Sequence, residues 1–144
     1  MIYTIYDPIT GQIQSTITGS SASDLALNLQ GKTYIEGNFD DKHYYILDSA
    51  AHPKAADPSD NLNKYSFDHT AKTWVIDVPA TERLARNYRN VLLGLVDKIN
   101  PVWWESLSTT QQTAVSEFRS ALLDVPQQSG FPSDITWPTK PDFL

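Results

Sequence analysis

Cysteine is absent from the 144 residues. That one gap removes disulfides, thiolate nucleophiles and cysteine-type zinc sites together, and it fits a reducing compartment. Histidine is sparse, and His43, His52 and His69 stand alone in the sequence. None sits in a His-x-x-x-His or Glu-x-x-His pattern that would put two ligands on one helix face, so no metal site is indicated. The glycines do not gather into a phosphate-cradling loop, and no serine lies in a Gly-x-Ser-x-Gly elbow. Asp40-Asp41 lacks the twelve-residue frame of a calcium loop and reads as a solvated acidic turn. An enzyme is therefore not expected, nor a cofactor. Basic runs are missing too: lysine and arginine are scattered singly in a chain of formal charge −6, whereas nucleic-acid binders concentrate positive charge on one face. There is no apolar run near 18 residues and no charged-then-apolar leader, so neither a membrane partner nor export is expected.

The chain is rich in other things. It is 40% hydrophobic, with seven tyrosines and four tryptophans, enough to bury a core. Ile2 to Tyr6 and Gln12 to Thr18 alternate apolar and polar residues about Asp7-Pro8-Ile9-Thr10-Gly11, which predicts a β-hairpin with a bulged type I turn. Ser21 or Ser23 is placed to cap a short helix over Asp24 to Leu29 ending at Gly31, although Leu25, Leu27 and Leu29 also fit strand alternation. Thr33 to Glu36 and His43 to Leu47 read as two further strands on either side of an acidic loop. Asp48 to Asn63, rich in Ala, Pro, Asp and Ser, reads as a long surface loop. Lys64 to Phe67 and Thr73 to Val78 predict a second hairpin.

At Pro79 the apolar period changes from two to that of a helix, placing a boundary near Val78 to Thr81. Leu84, Tyr88, Val91, Leu92, Leu95, Val96 and Ile99 make a continuous apolar stripe. Arg83, Arg86 and Arg89 lie off that stripe, as a solvated face or a seat for an acidic partner. Asn100-Pro101 starts a short segment bearing Trp103 and Trp104, and Ser108-Thr109-Thr110-Gln111 is a capping box for a last helix. On that helix Val115, Phe118, Leu122 and Val125 share one face, and Asp124 is expected to pair with Arg119 or to be hydrated. The expected fold is α+β. An antiparallel β-rich N-terminal domain, 1–79, precedes a helical domain, 80–144, made of a helical hairpin and an extended Pro/Trp tail.

Beyond Pro126 the tail carries Gly130, Phe131, Pro132, Trp137, Pro138 and Pro141, prolines that hold a segment extended and aromatics that offer apolar surface. Phe131 and Trp137, six residues apart, would stand nearly 20 Å from one another at ~3.1 Å per residue. Either they fill separate pockets on a partner, or the tail folds back over its own helices and completes a small core. On the first reading Trp137→Ala and Phe131→Ala leave the melting temperature nearly unchanged.

Phe118, Arg119, Leu122, Asp124, Gln128, Gly130, Phe131, Pro132, Trp137, Pro138 and Pro141 together resemble the C-terminal signature of the bacteriophage tail assembly chaperone family. Two positions depart from it: members tend to carry Tyr where Phe118 stands and Arg where Leu123 stands, which weakens any role for a basic pair. The Tyr6-Asp7-Pro8-x-Thr10-Gly11 opening, Glu36-Gly37 with Tyr44-Tyr45, and Tyr65-x-Phe67-Asp68 to Trp74 also resemble phage tail proteins, less specifically. The resemblance implies a protein that holds a phage tail fibre or tail protein while it folds, trimerises or attaches. Its site would be a partner-binding surface of Phe118, Arg119, Leu122, Phe131, Pro132, Trp137, Pro138 and Pro141, working in the host cytoplasm during assembly. The alternative is a structural component of the virion tail or baseplate. Whether the chain is a homo-oligomer stays open.

Overall fold

Asp7 sets the first turn. Its carboxylate accepts hydrogen bonds from the backbone N–H groups of Thr10 at 3.0 Å and Ile9 at 2.7 Å, and these hold its pKa below the usual carboxylate value. In the computed structural model, which describes residues 1–144, the turn joins β1 (Ile2–Tyr6) to β2 (Ile13–Thr18) as an antiparallel pair with a bulge between Ile5 and Tyr6. Gly11 takes φ +71°, and a Cβ built on it would stand 1.9 Å from the Ile46 carbonyl oxygen. Gly11→Ala is therefore expected to cost about 2 kcal/mol, from left-handed strain and a clash with backbone, seen as a lower urea midpoint at constant slope.

β3 (Tyr34–Glu36) pairs antiparallel with the other side of β1, giving the order β2-β1-β3. α1 (Ala22–Leu29) begins at Ser21, whose hydroxyl accepts from the Asp24 N–H. Its helical period buries Leu25 and Leu29 against Ile5 and leaves Leu27 75% exposed, which decides against strand alternation. Thr4 is fully buried with its hydroxyl satisfied twice, donating to the Gly37 carbonyl and accepting from the Phe39 N–H.

The long loop expected from Asp48 contains a strand. β4 (Tyr44–Leu47) does not pair with β3; it turns at Asp48-Ser49 and pairs with β5 (Ala50–Pro53). Both turn residues have positive φ, 51° and 58°, the geometry of a two-residue hairpin normally signalled by Asn-Gly or Asp-Gly. Ala-Ala-His-Pro is a poor strand sequence, so nothing local announces it. β6 (Tyr65–Asp68) and β7 (Thr73–Ile76) form the remaining hairpin. The Tyr45, His52, Phe67, His69 and Trp74 rings pack around these two hairpins. The Lys54 ammonium lies 4.4 Å from the Phe67 ring centre, and burial pushes the His69 imidazole below its ordinary pKa, the Asp41 carboxylate opposing it.

The chain divides into two compact units: residues 1–58 with 65–75, and residues 59–64 with 76–144. The second unit is helical. α2 (Val78–Asp97) starts where Asp77 accepts from the Ala80 N–H, with Pro79 in the first turn, where its missing N–H costs nothing. α3 (Pro101–Ser106) is capped by Asn100, and α4 (Thr109–Asp124) by the full reciprocal box of Ser108 and Gln111. A 3-10 turn over Val125–Gln127 ends it. No helix is long and apolar enough to cross a membrane.

The core of this unit is Ala85 of α2 with Val115, Phe118, Leu122 and Val125, all buried. Thr81 is buried as well and does different work: its hydroxyl donates to the Lys64 carbonyl and accepts from the Lys64 N–H, tying Ser59–Lys64 to the start of α2. None of the seven residues of the expected α2 stripe is buried. The helix takes its buried contacts one position to the side, at Thr81 and Ala85.

Candidate partner-binding surface

The segment after α4 folds by closing a loop on itself. Gln128 grips the Thr136 backbone with both ends of its amide, Nε2 donating to the carbonyl and Oε1 accepting from the N–H, each at 2.9 Å. Within that loop the Asp134 N–H donates to the Gly130 carbonyl at 2.7 Å, and a Cβ on Gly130 would lie 1.9 Å from the Asp134 oxygen. Glycine is needed there for close approach of backbone to backbone.

The loop lies on α2. Trp137 meets the Tyr88 ring edge to face, centroids 4.7 Å apart at 82°, and Phe131 has the Arg86 guanidinium 5.3 Å from its centre. Pro132, Ile135 and Trp137 close over Ala85 and Leu62, leaving a cavity of about 170 Å³. Leu62 is presented by a turn in which Asp60 accepts from the Asn63 and Leu62 N–H groups, bonds that hold the Asp60 pKa down. The tail is therefore an intramolecular lid, and its two aromatics are not free anchors on an extended strand.

The residues expected to meet a partner fall into three environments. Phe118 and Leu122, 4% and 0% exposed, face the core and hold α4 in place. Phe131, Pro132, Trp137, Pro138 and Pro141 are half-buried, each showing one side to solvent. Arg119 is exposed, and it pairs with Asp97 rather than Asp124, Nε to Oδ1 at 2.7 Å. Both side chains are nearly half exposed, so that pair is worth about 0–1 kcal/mol and can be exchanged for a contact with another molecule. Of the arginines on α2, Arg86 is held by Glu82 at 2.8 Å and Arg89 by the Asn90 amide.

Arg119 and Asp97 stand at the rim of a feature that single-residue reading had not collected. The end of α2, α3 and α4 enclose an open groove of about 370 Å³ walled by Val96, Ile99, Pro101, Trp104 and Val115, with Ser116 at its side. Asn100 and Pro101 begin α3, and the Trp104 carbonyl accepts from Gln112 Nε2 at 3.0 Å, which pins α3 on α4. An apolar floor with one charge of each sign at the rim suits an apolar side chain carried on a peptide.

Residues 80–142 match the family described as phage tail assembly chaperone protein. The C-terminal region is similar to that family. The match spans α2, α3, α4 and the folded tail, and so takes in both the groove and the Gly-Phe-Pro to Trp-Pro segment; residues 1–79 lie outside it. No curated protein and no solved structure matches the chain. A phage tail assembly chaperone acts during virion assembly inside the host cell, and the family points to a role in assembly rather than catalysis. Tyr88, Asp97 and Trp104 were the residues missed. Tyr88 stood on the apolar stripe with no sign that Trp137 would cover one side of it, and the groove is assembled from three elements whose only shared mark is apolar composition.

Proposed function

We propose that the chain is an assembly chaperone that binds a bacteriophage tail or tail fibre protein and holds it soluble until it trimerises or attaches. The helical domain beginning near residue 80 carries this activity and the β-rich domain of residues 1–79 accompanies it. The observation that carries the reading is the coincidence of the family match with an open apolar groove on the same three helices. An immature tail subunit exposes apolar side chains that its neighbours will later bury, and a groove of this size takes one bulky residue of such a segment. Arg119 and Asp97, released from each other, meet the flanking peptide. The site turns over no bond and needs no cofactor.

Co-expression with the candidate fibre gene tests this. Wild-type chain should raise the yield of soluble trimeric fibre. Ser116→Arg, which fills the groove from an exposed position, should abolish that gain while moving stability by no more than about 0.5 kcal/mol. Full rescue by Ser116→Arg would remove the groove from the mechanism. No rescue by wild-type chain, with the protein present in stoichiometric amounts in purified virions, would replace the chaperone with a structural tail component.

A further inference from the structure

His69 stands in the turn between β6 and β7 with its ring turned inward. The side chain is 15% exposed, its ring lies edge-on to Phe67 with centres 5.1 Å apart, and its Nε2 faces Asp41 Oδ1 at 3.7 Å. That carboxylate favours the neutral tautomer with the proton on Nε2, which leaves the lone pair on Nδ1. Nδ1 is buried and has no hydrogen-bond partner. A proton placed there would need an acceptor, and the acceptors around it are taken. Lys72 Nζ donates to the His69 and Thr10 carbonyls, and Lys54 Nζ, on a side chain only 4% exposed, donates to the Asp41 carbonyl. Asp41 Oδ1 itself accepts from the Ile13 N–H at 3.3 Å and has Lys54 Nζ at 3.6 Å. One carboxylate thus joins the start of β2, the residue after β5 and the β6–β7 turn.

We propose that His69 is an acid-released pin: neutral, it holds the β6–β7 turn against Asp41 and the end of β5, and protonation at Nδ1 drives the ring into water and frees the turn. The charged groups facing the ring are Asp41 from the loop before β4, Lys54 from the residue after β5, and Asp68 and Lys72 from its own turn. Two carboxylates and two ammoniums already balance, so an imidazolium adds a third cation and a donor without an acceptor. Moving the ring out relieves both, at the loss of the Phe67 edge contact and the Asp41 link. The other two histidines are placed differently: His52 stacks on Tyr45, and His43 is exposed and paired with Asp40 at 2.8 Å. Residues 76–144 hold no histidine, so the helical unit has no such pin. Burial, helped by Lys54 and Lys72, lowers the pKa of His69 against the pull of Asp41 and Asp68. With the folded value below the unfolded one, the unfolded chain takes up the proton first as pH falls. The stabilisation is therefore full above about pH 7 and is lost from about pH 6.5 downward until the folded ring titrates. Asp7, Asp40, Asp60 and Asp68, whose hydrogen bonds lower their pKa values, lose their contributions only below the ordinary carboxylate range, so acid down to about pH 5 leaves them unchanged.

Urea unfolding of the full chain at pH values from about 7.5 to 5, followed through the backbone amide NMR signals of residues 65–76, tests the pin. In wild type the unfolding constant read there should rise at least about fivefold toward the acid end. His69→Phe keeps an aromatic edge against Phe67 and cannot take a proton, so its constant should stay level to within about twofold. His43→Gln and His52→Gln should keep the wild-type rise. A second measurement needs no variant: in the folded wild type the His69 ring protons should titrate below the ordinary imidazole range, and the amide signals of Thr70, Ala71 and Lys72 should move with them. A wild-type constant that is flat over this range overturns the proposal, as does a His69→Phe variant that keeps the full rise. A His69 ring that titrates in the ordinary range while those three amides stay still overturns it equally.

Discussion

Leu122→Ala should unfold more of this protein than any change on its surface. Leu122 has no exposed area and sits among Val115, Phe118 and Val125, which are themselves 4% exposed or less. Removing its branched end leaves a void that packed neighbours close only partly, so the loss is expected near the upper part of the 2–5 kcal/mol range for buried leucines. For a unit of this size that corresponds to a fall of on the order of 15–20 °C in melting temperature. The adjacent Leu123 supplies the comparison. It is 43% exposed, and Leu123→Arg, which restores the residue common in the family resemblance, should change stability by less than about 0.5 kcal/mol. Scanning calorimetry of both variants distinguishes a core in which α4 is rotated as described from one in which these neighbouring leucines exchange roles.

The same contrast shows why α4 could be read from the sequence. Four apolar residues at steps of three and four, a capping box before them and a proline after them agree with one another, and each signal is local. The first hairpin and the short helix after it were legible for the same reason, since Asp7, Gly11, Ser21 and Gly31 each satisfy a backbone need within a few residues of themselves. Where agreement had to come from far along the chain, the reading failed. β5 exists because β4 lies beside it, and its own residues are poor strand formers. Arg119 was expected to pair with Asp124, five positions on, unless that carboxylate was simply hydrated, although Asp97, twenty-two positions back, is the one within reach once α2 and α4 pack together. The α2 stripe named an apolar face of which Leu84, Leu92, Val96 and Ile99 are half-buried and Tyr88, Val91 and Leu95 exposed, because periodicity reports that a face is apolar and not what covers it.

The candidate surface was half legible on the same grounds. The Gly-Phe-Pro and Trp-Pro segments stood out through their composition and their resemblance to the family, and the family match to residues 80–142 includes them. Their geometry did not stand out. A chain of prolines and aromatics is compatible with an extended strand and with a folded lid, and the choice rests on Gln128 reaching Thr136 and on Tyr88 receiving Trp137. The groove beside α3 had no sequence mark, since Val96, Ile99, Trp104 and Val115 look like any core residues until their placement leaves one side open.

Trp137→Ala is the variant for which the folded lid reverses the outcome expected of an extended tail. On an extended tail the ring would be solvated in the free protein, and its removal would cost little until a partner was present. Against Tyr88 at 4.7 Å it is part of the fold, and large-to-small changes of buried aromatics cost about 3–5 kcal/mol, of which a half-buried ring forfeits about 2 kcal/mol. Urea denaturation should therefore show a clear fall in midpoint without any partner. A cycle with Tyr88→Ala isolates the ring pair: each single change removes the same edge-to-face contact, so the double variant should lose about 1 kcal/mol less than the sum of the two. Phe131→Ala should cost less, because its companion is the charged end of Arg86 rather than a second ring. Trp137→Ala will also lower the yield of soluble fibre, but as a consequence of a loosened α2. Lowering the temperature at which the fibre is co-expressed should then restore the yield, since the folded fraction recovers on cooling. A yield that stays low in the cold, with the denaturation midpoint unchanged from wild type, would return Trp137 to the partner and make the lid a docking strand after all.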